Sequence, residues 1–313
     1  MFSPLHLISV MTPCFNEEGN VREMYEAVKT VFSKLPHYRY EHIFIDNASK
    51  DRTPVILREI ATADKNVKVI LNARNFGHVR SGYYALLQAH GDAVVALACD
   101  FHDPPDLIPE MLSRWESGSK VVLGVKESAD ESGLFYALRD RYYRTLASIA
   151  DIELVRQSTG FGCYDQSVIE SLRKIDDPYP YFRGLIAEIG HEPSLVPFRQ
   201  PARKRGISSQ NFYTLYDLAF LGIVNHSKVP LRMATMTGFA LAIVSLIVAL
   251  GYLVYKLVFW NQFSVGIAPI LIGFFFLTSV QLFFIGVVGE YIGSIYTQVR
   301  HHPHVFEKDR INF

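Results

Sequence analysis

Short apolar runs alternate with amphipathic stretches from the N-terminus to about position 125. His6–Met11, which breaks at Pro13, then Tyr40–Asp46, Val67–Leu71, the run beginning at Val94, and Lys120–Val125 have the length and Val/Ile/Leu content of buried strands. Between them, helical spacing is predicted from the acidic turn at Asn16–Gly19 to about Leu35, over Thr53–Ala63, over Ser81–Ala89 and from about Asp106 to Glu116. Strand and helix in regular alternation predict an α/β fold, a doubly wound and mostly parallel sheet.

The pattern then changes. Glu127–Ser132 is a polar loop, Leu134–Ile149 a predicted helix carrying Arg139, Arg141 and Arg144, and Thr159–Gly162 reads as a tight turn. Asp165–Lys174 is predicted helical, Tyr179–Gly190 contains Arg183, and Arg199–Arg205 is a basic segment holding Arg203 and Arg205. Phe212–Val224 has the spacing of an amphipathic helix lying along a membrane surface.

Two uncharged apolar stretches follow, Met233–Tyr255 and Leu257–Gly289. At about 1.5 Å rise per residue each can cross a hydrocarbon core roughly 30 Å thick. Trp260–Phe263 between them is too short to hold a domain, which predicts an antiparallel transmembrane hairpin. Lys228 and Arg232 precede it and Arg300, Lys308 and Arg310 follow it, with Lys256 alone near the turn. The positive-inside rule therefore places both termini in the cytoplasm. The predicted organisation is a catalytic domain over 1–210, a juxtamembrane helix over 211–229, the two-helix hairpin over 230–299 and a cytoplasmic tail over 300–313. His301, His302 and His304 read as part of that solvated tail.

Composition narrows the picture. Equal numbers of basic and acidic residues, 31 of each, give no electrostatic footprint for nucleic acid. Met1–Met11 lacks the basic start and long apolar core of a secretory signal. Cys14, Cys99 and Cys163 are scattered without metal-ligand spacing, which fits a reducing compartment. On a cytoplasmic face the Asn47-Ala48-Ser49 and Asn225-His226-Ser227 triplets match the glycosylation pattern by chance.

The chemistry concentrates where the Val94 run ends in Asp100, His102 and Asp103, before Pro104 and Pro105. In open α/β sheets ligands bind beyond the carboxyl ends of the strands. A carboxylate and an imidazole at alternate positions suit a divalent cation holding a phosphate. The same residues also suit an acidic turn capping the next helix, and Asp103 reads first as that cap.

Four segments in order, Val10–Glu18, Phe44–Thr53, Arg74–Gly77 and Cys99–Pro105, resemble the inverting family-2 glycosyltransferases of GT-A fold. With the C-terminal hairpin, the whole chain is similar to members that glycosylate a polyprenyl phosphate, such as the dolichol-phosphate mannose synthases and bactoprenol glucosyltransferases. The resemblance implies that Pro13, Phe15 and Glu17 line a nucleotide base pocket and that Asp46 hydrogen-bonds the base. Arg74 and the Gly77 turn would flank the nucleotide. Asp100, with His102, would ligate Mg²⁺ or Mn²⁺ on the donor diphosphate, and Arg183, Arg203 and Arg205 would clamp phosphates. It further implies a nucleotide-sugar donor, a polyprenyl-phosphate acceptor in the membrane and a homo-oligomer, a tetramer by analogy.

Three positions depart from the family pattern. The first carboxylate of its Asp-x-Asp signature is Ala98, its second acidic residue and Gly after the second strand are Asn47 and Ala48, and the region of Gly160–Gly162 lacks the expected Asp or Arg. No general base is assigned. Two rivals stand beside this reading: a processive polysaccharide synthase, disfavoured because two spans line no channel and no Gln-x-x-Arg-Trp follows, and a nucleotide-sugar sensor that has lost turnover.

Overall fold

The computed structural model describes residues 5–127, 155, 157–201, 229–259, 267–300 and 302–313. Eight strands form one sheet in the order β7-β5-β6-β4-β1-β2-β3-β8. They are β1 (His6–Cys14), β2 (Tyr38–Asp46), β3 (Val67–Asn72), β4 (Ala93–Ala96), β5 (Val121–Lys126), β6 (Ser158–Asp165), β7 (Ser194–Phe198) and β8 (Glu307–Ile311). The pairings β4–β1, β1–β2, β2–β3 and β5–β7 are parallel, whereas β4–β6, β5–β6 and β3–β8 are antiparallel. This is the mostly parallel α/β sheet that the alternating pattern predicts.

Helices α1 (Val21–Ser33), α2 (Thr53–Ala63), α3 (His78–Leu87) and α4 (Ile108–Glu116) form the crossovers, and α5 (Gln166–Arg173) and α6 (Phe182–Ile189) follow β6. The sheet has an apolar layer on each face. One layer packs Val10, Phe44, Val69 and Val95 against Met24, Val28, Leu57 and Met111, and the other packs Ile43, Ile45, Ile70 and Val94 against Leu86, Ile169 and Leu185. Central strands buried on both faces explain why they read as continuous apolar runs rather than as alternation.

Several expectations need correction. β1 continues through Pro13 to Cys14, because Pro13 sits opposite Ile45 at the end of the ladder, where one missing N–H costs little. Thr159–Gly162 is not a turn but lies within β6. Its glycines serve close approach: a Cβ on Gly162 would collide with the Val122 carbonyl, and Gly160 has φ +94°. Asp103 does not cap the helix after it; its Oδ2 turns back to accept from Ala98 N–H at 3.1 Å. Glu307–Ile311, expected as part of a solvated tail, is the edge strand β8 beside β3. His304 is half-buried, its ring edge-on to Tyr83 at 5.1 Å.

Two long helices precede β8, α7 (Val229–Val258) and α8 (Ile267–Val299). Among the described residues one stretch, Gly273–Val299, is long and apolar enough to cross a membrane, with a mean hydropathy of 1.7. The apolar part of α7, Leu231–Ser245, is shorter. Large side chains on α8 such as Phe274, Phe275, Leu282 and Phe283 are exposed, an unpartnered apolar surface that water does not favour. The helix expected over Leu134–Ile149, the amphipathic helix over Phe212–Val224, Trp260–Phe263, Arg203 and Arg205 lie outside the described residues.

Candidate functional site

The parallel strands β1, β2, β3 and β4 all end at one edge of the sheet. From β1 the chain builds outward through β2 and β3, while β4 pairs with the opposite side of β1. That reversal makes the β1/β4 boundary a switch point, where loops diverge and leave a crevice. At this boundary β1 ends in Pro13 and Cys14, and Ala98, Cys99 and Asp100 follow the end of β4. The β1–β4 register pairs Met11 with Ala96, and Cys14 and Cys99 beyond it are both buried; burial, helped by the nearby Cys99, pushes the Cys14 thiol well up.

The loops after β1 and β2 are laced together. Asn16 N–H donates to Ser49 Oγ at 2.8 Å, Glu17 N–H to Thr53 Oγ1 at 2.9 Å, and Lys50 N–H to Asn16 Oδ1 at 2.9 Å. Glu17 accepts from Asn20 Nδ2 at 2.6 Å. Phe15 and Pro13 are partly exposed beside this lacing. Ala48 holds φ +60°, the left-handed conformation for which the family's glycine is suited.

Asp46 ends β2 with 1 % exposure. Its Oδ2 accepts from Ser49 N–H at 3.0 Å, while its Oδ1 is buried without a hydrogen-bond partner among the described residues. Burial raises the Asp46 carboxyl above the ordinary range, against the lowering effect of the Ser49 hydrogen bonds. A buried acceptor left open costs free energy unless a donor arrives. Asp46 is thus a strand-end turn residue with one oxygen still to be satisfied.

Arg74 and Gly77 lie in the turn between β3 and α3. The Arg74 guanidinium sits 4.0 Å over the Phe76 ring and donates to Asn75 O at 3.0 Å. Gly77 has φ +86° and immediately precedes α3, where its carbonyl accepts from Ser81 N–H at 3.2 Å. A polar network that sequence reasoning missed, made of Asn47, Asn72, Asn75 and Ser81, joins this turn to the end of β2.

Asp100 and His102 lie side by side. His102 Nδ1 lies 3.2 Å from Asp100 Oδ2, and His102 N–H donates to Asp100 Oδ1 at 3.2 Å. Among the described residues no group of three or more His, Cys, Asp or Glu side chains forms a metal cluster. One carboxylate beside one imidazole fits a cation that draws its other ligands from phosphate oxygens and water, not an all-protein cage. Asp103, 7 % exposed, faces inward; burial, helped by the nearby Asp100 charge, raises its carboxyl to about 6.

Arg183, on α6, lies apart from the nucleotide-side residues. Its Nη1 donates to Ser158 O at 3.0 Å and its guanidinium stacks 5.4 Å from the Tyr181 ring. It lines a cavity of roughly 890 Å³ with Ser158, Gly160, Tyr164, Phe182 and Glu192. Because β6 runs antiparallel to β4 with Gly162 opposite Ala96, its start at Ser158 extends past the end of β4, on the side where Asp100 sits.

Glycosyl transferase family 2 matches residues 9–173. The bactoprenol glucosyl transferase of Shigella phage SfV is 31% identical over 297 residues, 95% of this chain and 96% of that protein. That of Shigella phage SfX is 30% identical over 97% of this chain and 99% of its own length. A solved structure, glucosyl-3-phosphoglycerate synthase from Mycobacterium tuberculosis with phosphoglyceric acid, aligns over 70% of this chain and 78% of its own with 18% identity and a TM-score of 0.45.

Proposed function

The chain belongs to glycosyl transferase family 2, and on that footing we propose that it moves one sugar from a nucleotide-sugar to a polyprenyl phosphate at the cytoplasmic face of a membrane. The observation that carries the reading is the gathering of Asp46, Arg74, Gly77 and the Asp100–His102 pair along one sheet edge around the β1/β4 switch point. The relatives named for bactoprenol support the lipid acceptor, and the exposed apolar surface of α8 supports its place in a bilayer. In this reading α7 is the second span and the two helices form a hairpin with both chain ends in the cytoplasm.

Each residue then has a task. The open Oδ1 of Asp46 accepts an N–H of the uracil or guanine ring, with Pro13, Phe15 and Glu17 around the base. Arg74 and the Gly77 turn flank the nucleotide phosphates. Asp100 and His102 would hold Mg²⁺ or Mn²⁺, which when bound neutralises charge on the leaving diphosphate. Arg183, with Arg203 and Arg205, pairs with phosphate oxygens on the acceptor side.

The acceptor supplies its own nucleophile. A phosphomonoester has a second pKa near 6 and is mostly dianionic at neutral pH, so no side chain need remove a proton. What the protein contributes is placement: the acceptor phosphate must lie opposite the departing nucleotide. A single displacement inverts the anomeric carbon. The apolar tail stays in lipid, sparing about 0.8 kcal/mol per CH₂ that exposure to water would cost.

A donor panel tests this: UDP- and GDP-sugars with Mg²⁺ or Mn²⁺ and a short polyprenyl phosphate, read by nucleoside diphosphate release and product mass spectrometry. Glycosyl phospholipid should form with one donor, and Asp100→Ala should slow turnover by a factor on the order of a thousand or more. Near-normal turnover in Asp100→Ala would remove that carboxylate from the site. Nucleotide binding without release from any donor would favour the sensor.

A further inference from the structure

We propose that Asn47 is a positioning residue for the donor-side turn, fixing where Arg74 and Gly77 stand; the proposal rests on the reading of that turn as part of the nucleotide site. Asn47 follows the last residue of β2 and is 6 % exposed. Its main-chain N–H donates to Cys14 O at 2.9 Å, which locks it to the end of β1. Its side chain bonds the β3–α3 segment. Oδ1 accepts from Phe76 N–H at 2.9 Å and from Asn72 Nδ2 at 3.3 Å, and Nδ2 donates to Asn75 Oδ1 at 2.9 Å.

Asn75 Oδ1 also accepts from Gly77 N–H at 2.8 Å, so one oxygen serves Asn47 and Gly77 together. Asn72 passes the connection on, donating to Ser81 Oγ at 3.0 Å in the first turn of α3. The path to Arg74 is short: Asn47 holds the Phe76 amide, and the Arg74 guanidinium rests on the Phe76 ring. A buried amide thus ties the two segments that carry Asp46 and Arg74 into one unit.

The network requires an amide at position 47. A carboxylate there could still accept from Phe76 and Asn72 but could not donate to Asn75. Rotating the Asn75 amide would supply a donor to that carboxylate, yet it would take the oxygen away from Gly77 N–H. Either way one bond is lost. The acidic residue usual in the family at this position would therefore give up one of these bonds with Asn75 as placed here.

The test uses the full chain in detergent micelles, with UDP and GDP in Mg²⁺ as probes. Asn47→Ala should speed amide exchange at Phe76 and Gly77, whereas Asn47→Asp should speed it at Gly77 and leave Phe76 protected. Nucleotide Kd and donor KM should rise about tenfold in Asn47→Ala, the scale of a lost buried hydrogen bond, with kcat little changed. Asn75→Ala, an exposed substitution, should act in the same direction, and the double variant should be less impaired than the two effects combined. A wild-type chain that binds neither nucleotide overturns the donor-site reading. A wild type that binds, with Asn47→Ala binding equally and exchanging at the wild-type rate, overturns the role of Asn47.

Discussion

The Trp115 indole N–H donates to Asp165 Oδ2 at 2.8 Å, joining the end of α4 to the end of β6. The other oxygen of Asp165 accepts from Ser167 N–H at 3.1 Å, capping α5, and from Lys120 at 3.0 Å. Burial alone would raise this carboxyl, but the bonds from Ser167, Trp115 and Lys120 outweigh it and hold it down to about 2. The folded value lies below the unfolded one, so this stabilisation is complete above about pH 4 and fades as pH falls toward 2. Asp165→Asn should cost about 2 kcal/mol at pH 7. Thermal melts of the two proteins that coincide would show that the charge contributes nothing.

His42 loses stability in the same direction, over a higher range of pH. It is fully buried, with Nε2 2.9 Å from Thr12 Oγ1 and Nδ1 without a partner among the described residues. Burial lowers its pKa to about 3. The unfolded chain takes up a proton near pH 6.5 that the folded chain refuses, so stability drains as pH falls below 6.5, at up to about 1.4 kcal/mol per pH unit. His42→Gln removes the titration. Its melting temperature should decline less steeply than that of the wild type between pH 6.5 and 4.5, and Asp103, present in both proteins, cancels from the comparison. Parallel curves would contradict this.

Ala48 stores strain next to the candidate base pocket. Its φ of +60° costs an L-residue roughly 1 kcal/mol or more that glycine escapes. Part of that gain is returned through the larger freedom of glycine in the unfolded chain. Ala48→Gly should therefore stabilise the protein by a few tenths to about 1 kcal/mol. A drop in unfolding midpoint in denaturant titration would mean that the Cβ makes contacts worth more than the strain.

The alternating apolar runs made the central sheet legible, because strands buried on both faces leave no other pattern. Asp46, which ends β2, was legible for the same reason: a charge ending such a run faces the sheet's edge, whereas Asp100 stands in the turn four residues past Ala96, the last residue of β4. β6 was hidden because Gly160 and Gly162 signal a turn, when their role is to let neighbouring backbone and Phe182 approach. β7 contains Pro197, and β8 is the polar string Glu307-Lys-Asp-Arg-Ile311, which offers no hydrophobic alternation. Its place is decided by long-range pairing: Arg310 with Tyr84 and Gln88, Arg58 with Asp309, and Asn312 Nδ2 with the carbonyls of Ala61 and Val67. The Asn47 network escaped notice because a single amide carries no sign of which three groups it will meet.

Strand β8 also moors the sheet. Residues 300–306, which separate the end of α8 from β8, can stretch at most about 25 Å. Partway along, Arg80 grips Pro303 O at 2.6 Å and Ala73 N–H grips Phe306 O at 2.8 Å, so the last slack is taken up beside the Arg74 turn. Were α8 embedded in lipid, as the proposed function has it, the sheet could not drift from the bilayer without peeling off its own outermost strand. The proposed transfer would then be reached by a pivot about this short leash, not by a free excursion into solvent.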